Sequence, residues 1–126
     1  MKGMKRQFVQ FLVRWALNAA GLFVAAQLLS GVEYQNEWGV LLIAGLILSI
    51  INALIKPFLI ILALPALILT LGIFSIIING FMVYLAHILY SSFEVSSFWT
   101  AVLAGMVVGL VNYIMTRVFD VLAPEN

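Results

Sequence analysis

Four long apolar segments dominate the pattern of hydrophobic and polar positions along the chain. They cover residues 8–29, 38–55, 69–90 and 98–116. Short polar loops separate the first segment from the second and the third from the fourth, at residues 30–37 and 91–97. Because a helix of about 20 apolar residues spans the hydrocarbon core of a bilayer, the pattern predicts an all-α integral membrane protein with four transmembrane helices.

The second half of the chain repeats the first. Residues 18–52 align with residues 79–112 when one residue is dropped, and the alignment matches residue types that are rare in this chain. The matched pairs are Asn18 with Asn79, Glu33 with Glu94, Trp38 with Trp99, and Asn52 with Asn112. We therefore interpret residues 1–126 as a single transmembrane domain of two tandem helical hairpins, with repeat 1 near residues 8–56 and repeat 2 near residues 69–117.

The stretch 57–68 links the two repeats. It is apolar and contains Pro57 and Pro65, and as a helix it would extend only ~18 Å, too little to cross a bilayer. Because proline kinks or breaks a helix, we predict a short re-entrant or interfacial linker. The alternative extends the second span to about Leu62 and starts the third at about Ala66, which leaves Lys56 inside a long tilted helix. Both interpretations return the chain to the same side.

The basic residues mark one side of the membrane. Lys2, Lys5 and Arg6 precede the first span, Lys56 follows the second, and Arg117 follows the fourth. The polar loops contain glutamates and no lysine or arginine. Under the positive-inside rule both termini are then cytoplasmic. Because each repeat has two spans, the repeats are expected to be parallel, related by an axis along the membrane normal.

Composition agrees with a membrane location and argues against several function classes. The chain is 65% hydrophobic and 9% charged, with a mean hydropathy of +1.20, so lipid must solvate most side chains. The net charge of +1 gives no indication of nucleic-acid binding, and no cysteine is present for a disulfide or thiolate site. No nucleotide-binding, metalloprotease or hydrolase motif occurs. We expect no enzyme and no cofactor.

The sharpest candidate site is a set of asparagines at matched positions in the two repeats: Asn18, Asn52, Asn79 and Asn112. If the nearest basic residues (Arg14, Lys56 and Arg117) lie at the cytoplasmic interface, helical rise gives the depth of each asparagine. Asn18 and Asn52 then lie ~6 Å deeper than that interface and Asn112 ~7.5 Å deeper. We therefore expect one polar layer in the cytoplasmic half. An unpartnered amide in hydrocarbon is costly, so the asparagines either join the helices by hydrogen bonds or line a polar pore or substrate site.

Charged and tryptophan residues near the span ends are expected to anchor the helices. Trp38 and Trp99 begin the second and fourth spans, the usual position of an aromatic belt. Lys56 and Arg117 are interpreted as topology anchors. Arg14 lies inside the first span and is expected to reach the interface by snorkelling, the alternative being a functional intramembrane charge.

The remaining polar candidates lie near the predicted outer ends of the helices. Glu33, Glu37 and Glu94 are expected to be solvated loop charges, with a cation-attracting acidic mouth as the alternative. His87 has no second ligand-type side chain at metal-binding spacing. We interpret it as an interfacial polar residue and predict no metal site.

Small residues recur at every fourth position in the second and fourth spans. Such ridges let helix backbones approach one another in lipid. Four short helices enclose little internal volume, so the ridges also favour a homo-oligomer. The ridge residues are Gly45, Ser49 and Ala53 in repeat 1, and Ala101, Gly105 and Gly109 in repeat 2.

Several local motifs resemble the bacterial four-span family of phage holin superfamily IV, the YvlD-type membrane proteins. The resemblance covers nearly the whole chain, including the segments NALIKPFLIILALPALILTLGIF and SSFEVSSFWTAVLAG. Its most specific marks are the run Asn52, Lys56 and Pro57, the pair Leu64 and Pro65, and the break Thr70, Leu71 and Gly72. The resemblance implies a small protein of the bacterial inner membrane.

Three functions fit these observations. The first is a holin-like, non-enzymatic oligomer that alters or maintains envelope permeability. The second is a structural or regulatory envelope protein without a pore, in which the asparagines only join helices. The third is a small channel or transporter whose site is the asparagine layer.

Overall fold

A computed structural model describes residues 2–122, except for the side chain of Lys2. The predicted polar tail at Pro124, Glu125 and Asn126 lies outside the described residues. Within them the elements are α1 (Lys2–Leu28), β1 (Val32–Glu33), α2 (Trp38–Leu54), α3 (Lys56–Leu62), α4 (Leu64–Leu69), α5 (Phe74–Leu89), β2 (Glu94–Val95) and α6 (Phe98–Leu122).

The four longer helices form a bundle in which each contacts two others. Helix α1 packs against α2 and α6, and α5 packs against α6 and α2. The centre of the bundle is filled by fully buried apolar side chains, among them Leu22, Leu41, Leu48, Met82 and Val83. Many other apolar side chains are exposed on the outside, as expected for a surface that faces lipid.

A two-residue antiparallel strand pair joins the loops that follow α1 and α5. Val32 pairs with Val95, and Glu33 pairs with Glu94. Phe93, beside this pair, is fully buried. The pairing holds both loops at one end of the bundle, here named the sheet end. The start of α1, the α3–α4 segment and the end of α6 consequently lie at the opposite end, here named the linker end.

The helices differ in how readily they cross a membrane. Residues Gly3–Leu28 and Phe98–Leu122 are long and apolar enough to do so alone, and α2 with α3 forms a third candidate span bent by 44°. Helix α5 is apolar but has only 16 residues, or ~24 Å. The chain is thus helical with two clear spans, a broken span and a short apolar helix.

The third long helix begins at Phe74, later than the expected start at Leu69. A helix-ending motif follows α4 and accounts for the difference. The Gly72 N–H donates to the Leu67 carbonyl at 2.8 Å and the Leu71 N–H donates to the Ile68 carbonyl at 3.2 Å. This pair of hydrogen bonds is a Schellman motif, which requires a left-handed backbone at Leu71 (φ 56°). Gly72 (φ 90°) also has a positive φ.

Each proline in the linker begins a short helix. Pro57 lies in the first turn of α3 and Pro65 in the first turn of α4, where a missing N–H costs no hydrogen bond. Helix α3 contacts α2 and α5, and α4 contacts α5. Neither short helix has a buried residue. Their entry into the bilayer, or their position at its surface, stays a prediction.

Small residues set the closest approach of the helices within each hairpin. A Cβ placed on Gly45 would lie 3.0 Å from the Cα of Ala19. A Cβ on Gly105 would lie 3.0 Å from the backbone of Asn79 and of Gly80. These contacts join α1 to α2 and α5 to α6 at positions that the sequence alignment matches. Any larger side chain would push the helix axes apart.

Candidate functional site

A cavity of about 180 Å³ lies inside the bundle, and all four predicted asparagines line it. Helix α1 contributes Asn18, α2 contributes Asn52, α5 contributes Asn79 and α6 contributes Asn112. Lys56 also lines it, as do apolar or small residues that include Leu48, Val83, Gly105 and Gly109. Each of the four main helices therefore provides one amide to the same space.

Two of the asparagines join helices by hydrogen bonds. Asn18 is buried, and its Nδ2 donates to Ser49 Oγ at 2.8 Å. Ser49 Oγ in turn donates to the Gly45 carbonyl at 2.8 Å. Asn112 Nδ2 donates to Asn18 Oδ1 at 3.2 Å and to the Val108 carbonyl at 3.1 Å. This network connects α1 with α2 and with α6.

The other two asparagines are placed differently. Among residues 2–122, the side chains of Asn52 and Asn79 have no hydrogen-bond partner, although both are half-buried and line the cavity. No fully buried side-chain nitrogen or oxygen in that range is unsatisfied. The two amides therefore remain accessible from the cavity.

A second, larger cavity of about 580 Å³ shares part of this polar lining. Asn18, Asn52, Asn112 and Lys56 border both cavities. The larger one adds Arg14 and other residues of α1, α2 and α6: Gln10, Ser49, Ala53 and Thr116 among the polar or small ones, and Val9, Phe11, Val13 and Leu17 among the apolar ones. Two cations therefore border a cavity whose other polar lining groups are neutral amides and hydroxyls.

The six predicted small residues divide into two groups. Gly45, Ser49, Ala101 and Gly105 are buried where helices pack closely. Ala53 and Gly109, one turn beyond in each helix, are exposed and border the cavities. A Cβ on Gly109 would meet nothing within 4 Å. The small residues thus bring the helices together and then leave space beside the asparagines.

The predicted anchor residues are placed at both ends. Trp38 and Trp99 are 61% and 66% exposed, at the first position of α2 and the second position of α6, at the sheet end. Each lies beside an aromatic neighbour: the ring of Trp38 stacks on Phe23 with centroids 4.8 Å apart, and Trp99 meets Phe98 edge-on at 5.5 Å. Aromatic rings at a helix start are typical of a membrane–water interface.

The basic anchors lie on three helices. Arg117 is exposed on α6 and its guanidinium lies 5.2 Å from the ring centre of Tyr113. Arg14 is exposed and Lys56 is half-buried, and both border the larger cavity. The role of these residues in setting the topology stays a prediction.

Sequence reasoning missed the contacts of His87. Its Nδ1 lies 2.8 Å from the Phe93 carbonyl oxygen and 3.2 Å from the Val95 N–H. The imidazole therefore holds the loop that leads into β2. Nothing in the sequence spacing indicated this contact, because it depends on a turn of the backbone after α5.

Two glycines of the outgoing helices were also missed. A Cβ on Gly21 would lie 3.0 Å from the Cα of Val108, and one on Gly80 would lie 2.5 Å from the Cα of Val102. Gly21 and Gly80 lie in α1 and α5, where no four-residue ridge of small residues marks them. The signal available was only that each is a glycine inside a long helix, which is unfavourable unless close packing requires it.

The arrangement can hold water and neutral or anionic polar groups. Within residues 2–122 no three His, Cys, Asp or Glu side chains lie together in a way that could hold a metal ion. The cavity-lining amides and hydroxyls are hydrogen-bonding groups, and the two cations attract anions. The side chains at the site can therefore form hydrogen bonds with polar groups and attract anions.

Comparison with known proteins identifies the family. Residues 9–114 match the model of the family described as mycobacterial four-transmembrane-segment phage holin, superfamily IV. An uncharacterized protein of Streptomyces coelicolor is 37% identical over 112 residues, which is 82% of this chain and 90% of the relative. The uncharacterized membrane protein YvlD of Bacillus subtilis is 35% identical over 111 residues, 84% of this chain and 92% of the relative.

No solved structure matches the chain at a significant level. The resemblance found in the sequence motifs is confirmed by the family match, which includes most of each of the four main helices, and by YvlD among the relatives. The chain is a membrane protein and belongs to the four-transmembrane-segment phage holin family of superfamily IV.

Proposed function

We propose that this is a non-enzymatic protein of the bacterial inner membrane that alters or maintains envelope permeability as a homo-oligomer. The observation that carries the proposal is the asparagine-lined cavity, a polar space inside an otherwise apolar bundle. Polar groups within a membrane domain are costly and therefore usually mark a path or a site. Membership in a holin family also supports a role in envelope permeability.

The proposal needs more than one copy of the chain. Towards the sheet end from the asparagines, the bundle is filled by Leu22, Leu41 and Met82, which are almost completely buried. This apolar packing blocks passage through a single bundle. We infer that a complete path forms between copies, with the linker-end cavities supplying part of its polar lining.

The proposed orientation follows from the distribution of charge. The linker end carries Lys5, Arg6, Lys56 and Arg117, and the sheet end carries Glu33, Glu37 and Glu94. The positive-inside rule then favours a cytoplasmic linker end with both termini inside. In that orientation the asparagine cavity opens within the cytoplasmic half of the membrane.

Dye release from liposomes tests the proposal. Purified protein is reconstituted at increasing protein density into vesicles that contain a small fluorescent dye, and release is measured against empty vesicles. We expect release that rises with density and that falls in Asn52→Leu/Asn79→Leu, which removes the two free amides. The matched control is Ile50→Leu/Ile76→Leu, which makes the same number of changes on the same two helices without altering polarity. Absence of release at every protein density would refute the proposal.

A pore-less structural or regulatory protein is the second candidate. The observation in its favour is the network from Asn112 through Asn18 to Ser49, which joins three helices by hydrogen bonds. Under this function, Asn18→Leu weakens the bundle or the oligomer and no variant changes dye release.

A small channel or transporter with its site at the asparagines is the third candidate. It differs from the first in selectivity, because a defined site passes some solutes and excludes others. A release assay that compares small cations, anions and neutral sugars separates the two. Equal release of all three solutes supports the holin-like function.

A further inference from the structure

Two basic side chains border the larger cavity at places where a membrane protein rarely keeps a charge. Arg14 lies inside the candidate span Gly3–Leu28, and Lys56 lies at the joint of the bent candidate span formed by α2 and α3. Two positive charges on one cavity repel each other, and the repulsion is stronger where water is scarce. Charges within a membrane domain normally have a partner of opposite sign.

No such partner is found among the described residues that border the cavity. Its polar lining consists of the two cations and of neutral groups from Gln10, Asn18, Asn52 and Thr116, with Ser49 and Asn112. Glu33, Glu37 and Glu94 lie at the sheet end. Asp120 is exposed on α6, one turn beyond Thr116, and does not border the cavity. Residues 2–122 thus place no carboxylate at this cavity to balance the charges of Arg14 and Lys56.

We infer that this cavity binds a phosphate-bearing anion between Arg14 and Lys56. A guanidinium offers paired N–H donors that match two phosphate oxygens, and an ammonium adds a compact positive charge. The side-chain amide of Asn52, which has no partner among the described residues, is a further donor next to Lys56. The inference does not depend on the proposed effect on permeability.

The apolar part of the lining bears on the source of the phosphate. Val9, Val13 and Leu17 of α1 border the same cavity as the cations. A phospholipid presents both a phosphate and apolar chains, and basic pockets between transmembrane helices bind anionic headgroups in this way. A free phosphate or a small phosphate ester carries the same charge but has no apolar chain to contact these side chains.

Lipid retention tests the inference on the whole protein. The protein is reconstituted into nanodiscs of equal phosphatidylglycerol and phosphatidylcholine, extracted in mild detergent, and examined by native mass spectrometry for bound lipid. We expect the wild type to retain phosphatidylglycerol preferentially. Each of Arg14→Gln and Lys56→Gln should reduce that preference about fivefold, and Lys56→Arg should restore it relative to Lys56→Gln.

The matched control is Arg117→Gln, which removes one positive charge from an exposed position at the same end but outside the cavity lining. It should leave the preference within about a factor of two, as a surface charge contributes little. Equal loss in Arg117→Gln and in Lys56→Gln would show a general effect of net charge and would overturn the inference.

A second arm identifies the source of the phosphate. Protein in nanodiscs of phosphatidylcholine alone is equilibrated with inorganic phosphate and with glycerol phosphate, and binding is measured by equilibrium dialysis. If inorganic phosphate or glycerol phosphate binds in a way that depends on Arg14 and Lys56, the site is assigned to a soluble anion. If phosphatidylglycerol binds and these soluble phosphates do not, the site is assigned to lipid. If neither phosphatidylglycerol nor soluble phosphate distinguishes the wild type from Arg14→Gln/Lys56→Gln, the inference is wrong.

Discussion

Glu33 and Glu94 face each other across the antiparallel pair of β1 and β2. These residues are also the two loop glutamates that the internal sequence alignment matches. The register therefore places two residues that the alignment matches directly opposite each other. This juxtaposition is expected of parallel tandem hairpins, and it holds both loops at the sheet end of the bundle.

The strand pairing predicts a disulfide in a chain that naturally has no cysteine. Residues opposite each other in an antiparallel pair have Cα atoms about 4.5–5.5 Å apart, which is within the range that a disulfide spans. We expect Glu33→Cys/Glu94→Cys to form an intramolecular disulfide under mild oxidation, detected as a shift in gel mobility that a reducing agent reverses.

The control for that experiment is Glu37→Cys/Glu94→Cys, since Glu37 lies at the other end of its loop, just before α2. It should form little or no intramolecular disulfide. Labelling of either single variant, Glu33→Cys or Glu94→Cys, by a membrane-impermeant maleimide should occur from the same side of intact cells. Labelling from opposite sides would contradict both the fold and the parallel arrangement of the repeats.

The hydrogen-bond network predicts unequal effects of asparagine substitutions on stability. Asn112→Leu removes the bond to Asn18, so it should destabilise the protein by about 0.6–1.7 kcal/mol, the range for such bonds between membrane helices. Asn79→Leu removes no hydrogen bond among residues 2–122, and its effect should be smaller. Unfolding by sodium dodecyl sulfate titration in mixed micelles measures both; a larger loss in Asn79→Leu than in Asn112→Leu would contradict the arrangement.

Helix packing predicts opposite effects of the same substitution at two glycines. An alanine Cβ at Gly80 would lie 2.5 Å from the Cα of Val102, so Gly80→Ala should force α5 and α6 apart and destabilise the protein by about 1–3 kcal/mol. Gly109→Ala meets nothing within 4 Å and should stabilise α6 by about 0.5–1 kcal/mol. The thermal unfolding temperature of each variant in detergent measures both effects. Destabilisation by Gly109→Ala would contradict the predicted packing.

The contacts of His87 predict a local effect at the sheet end. His87→Leu keeps a side chain of similar size but removes the one hydrogen bond that Nδ1 can form here, as a donor to the Phe93 carbonyl or as an acceptor from the Val95 N–H, depending on the tautomer. We expect a loss of about 1 kcal/mol in stability and faster amide hydrogen exchange at Val95. Exchange at Leu48 in the core serves as the internal control and should change less. Unchanged exchange at Val95 would show that the imidazole does not hold this loop.

Local features of the sequence were sufficient to predict both ends of α2 and the start of α6, whereas α6 continues to Leu122, beyond the predicted end at Thr116. The predicted second span runs from Trp38 to Ile55 and the helix from Trp38 to Leu54, and the fourth begins at Phe98 in both. A change from polar to apolar residues, with a tryptophan at the boundary, marks these positions directly. The start of α5 was predicted too early because Leu71, an ordinary apolar residue, adopts a left-handed backbone that its type rarely adopts.

The candidate site shows a similar division. The sequence selected Asn18, Asn52, Asn79 and Asn112 because amides are rare in an apolar helix. It left open whether they bond helices or line a space, since hydrogen-bond partners depend on how each helix is rotated about its axis. The structure distinguishes Asn18 and Asn112, which bond to other helices, from Asn52 and Asn79, which border the cavity without a partner among the described residues.

The sequence by itself determined the membrane environment, the number of main apolar helices and the rare residue types within them, because hydropathy and composition act locally along the chain. Only the tertiary structure decided that Glu33 meets Glu94, that Gly80 meets Val102, and that Arg14 and Lys56 border one cavity. Those relationships depend on the rotation and crossing of helices far apart in sequence, which are set by side-chain packing between them.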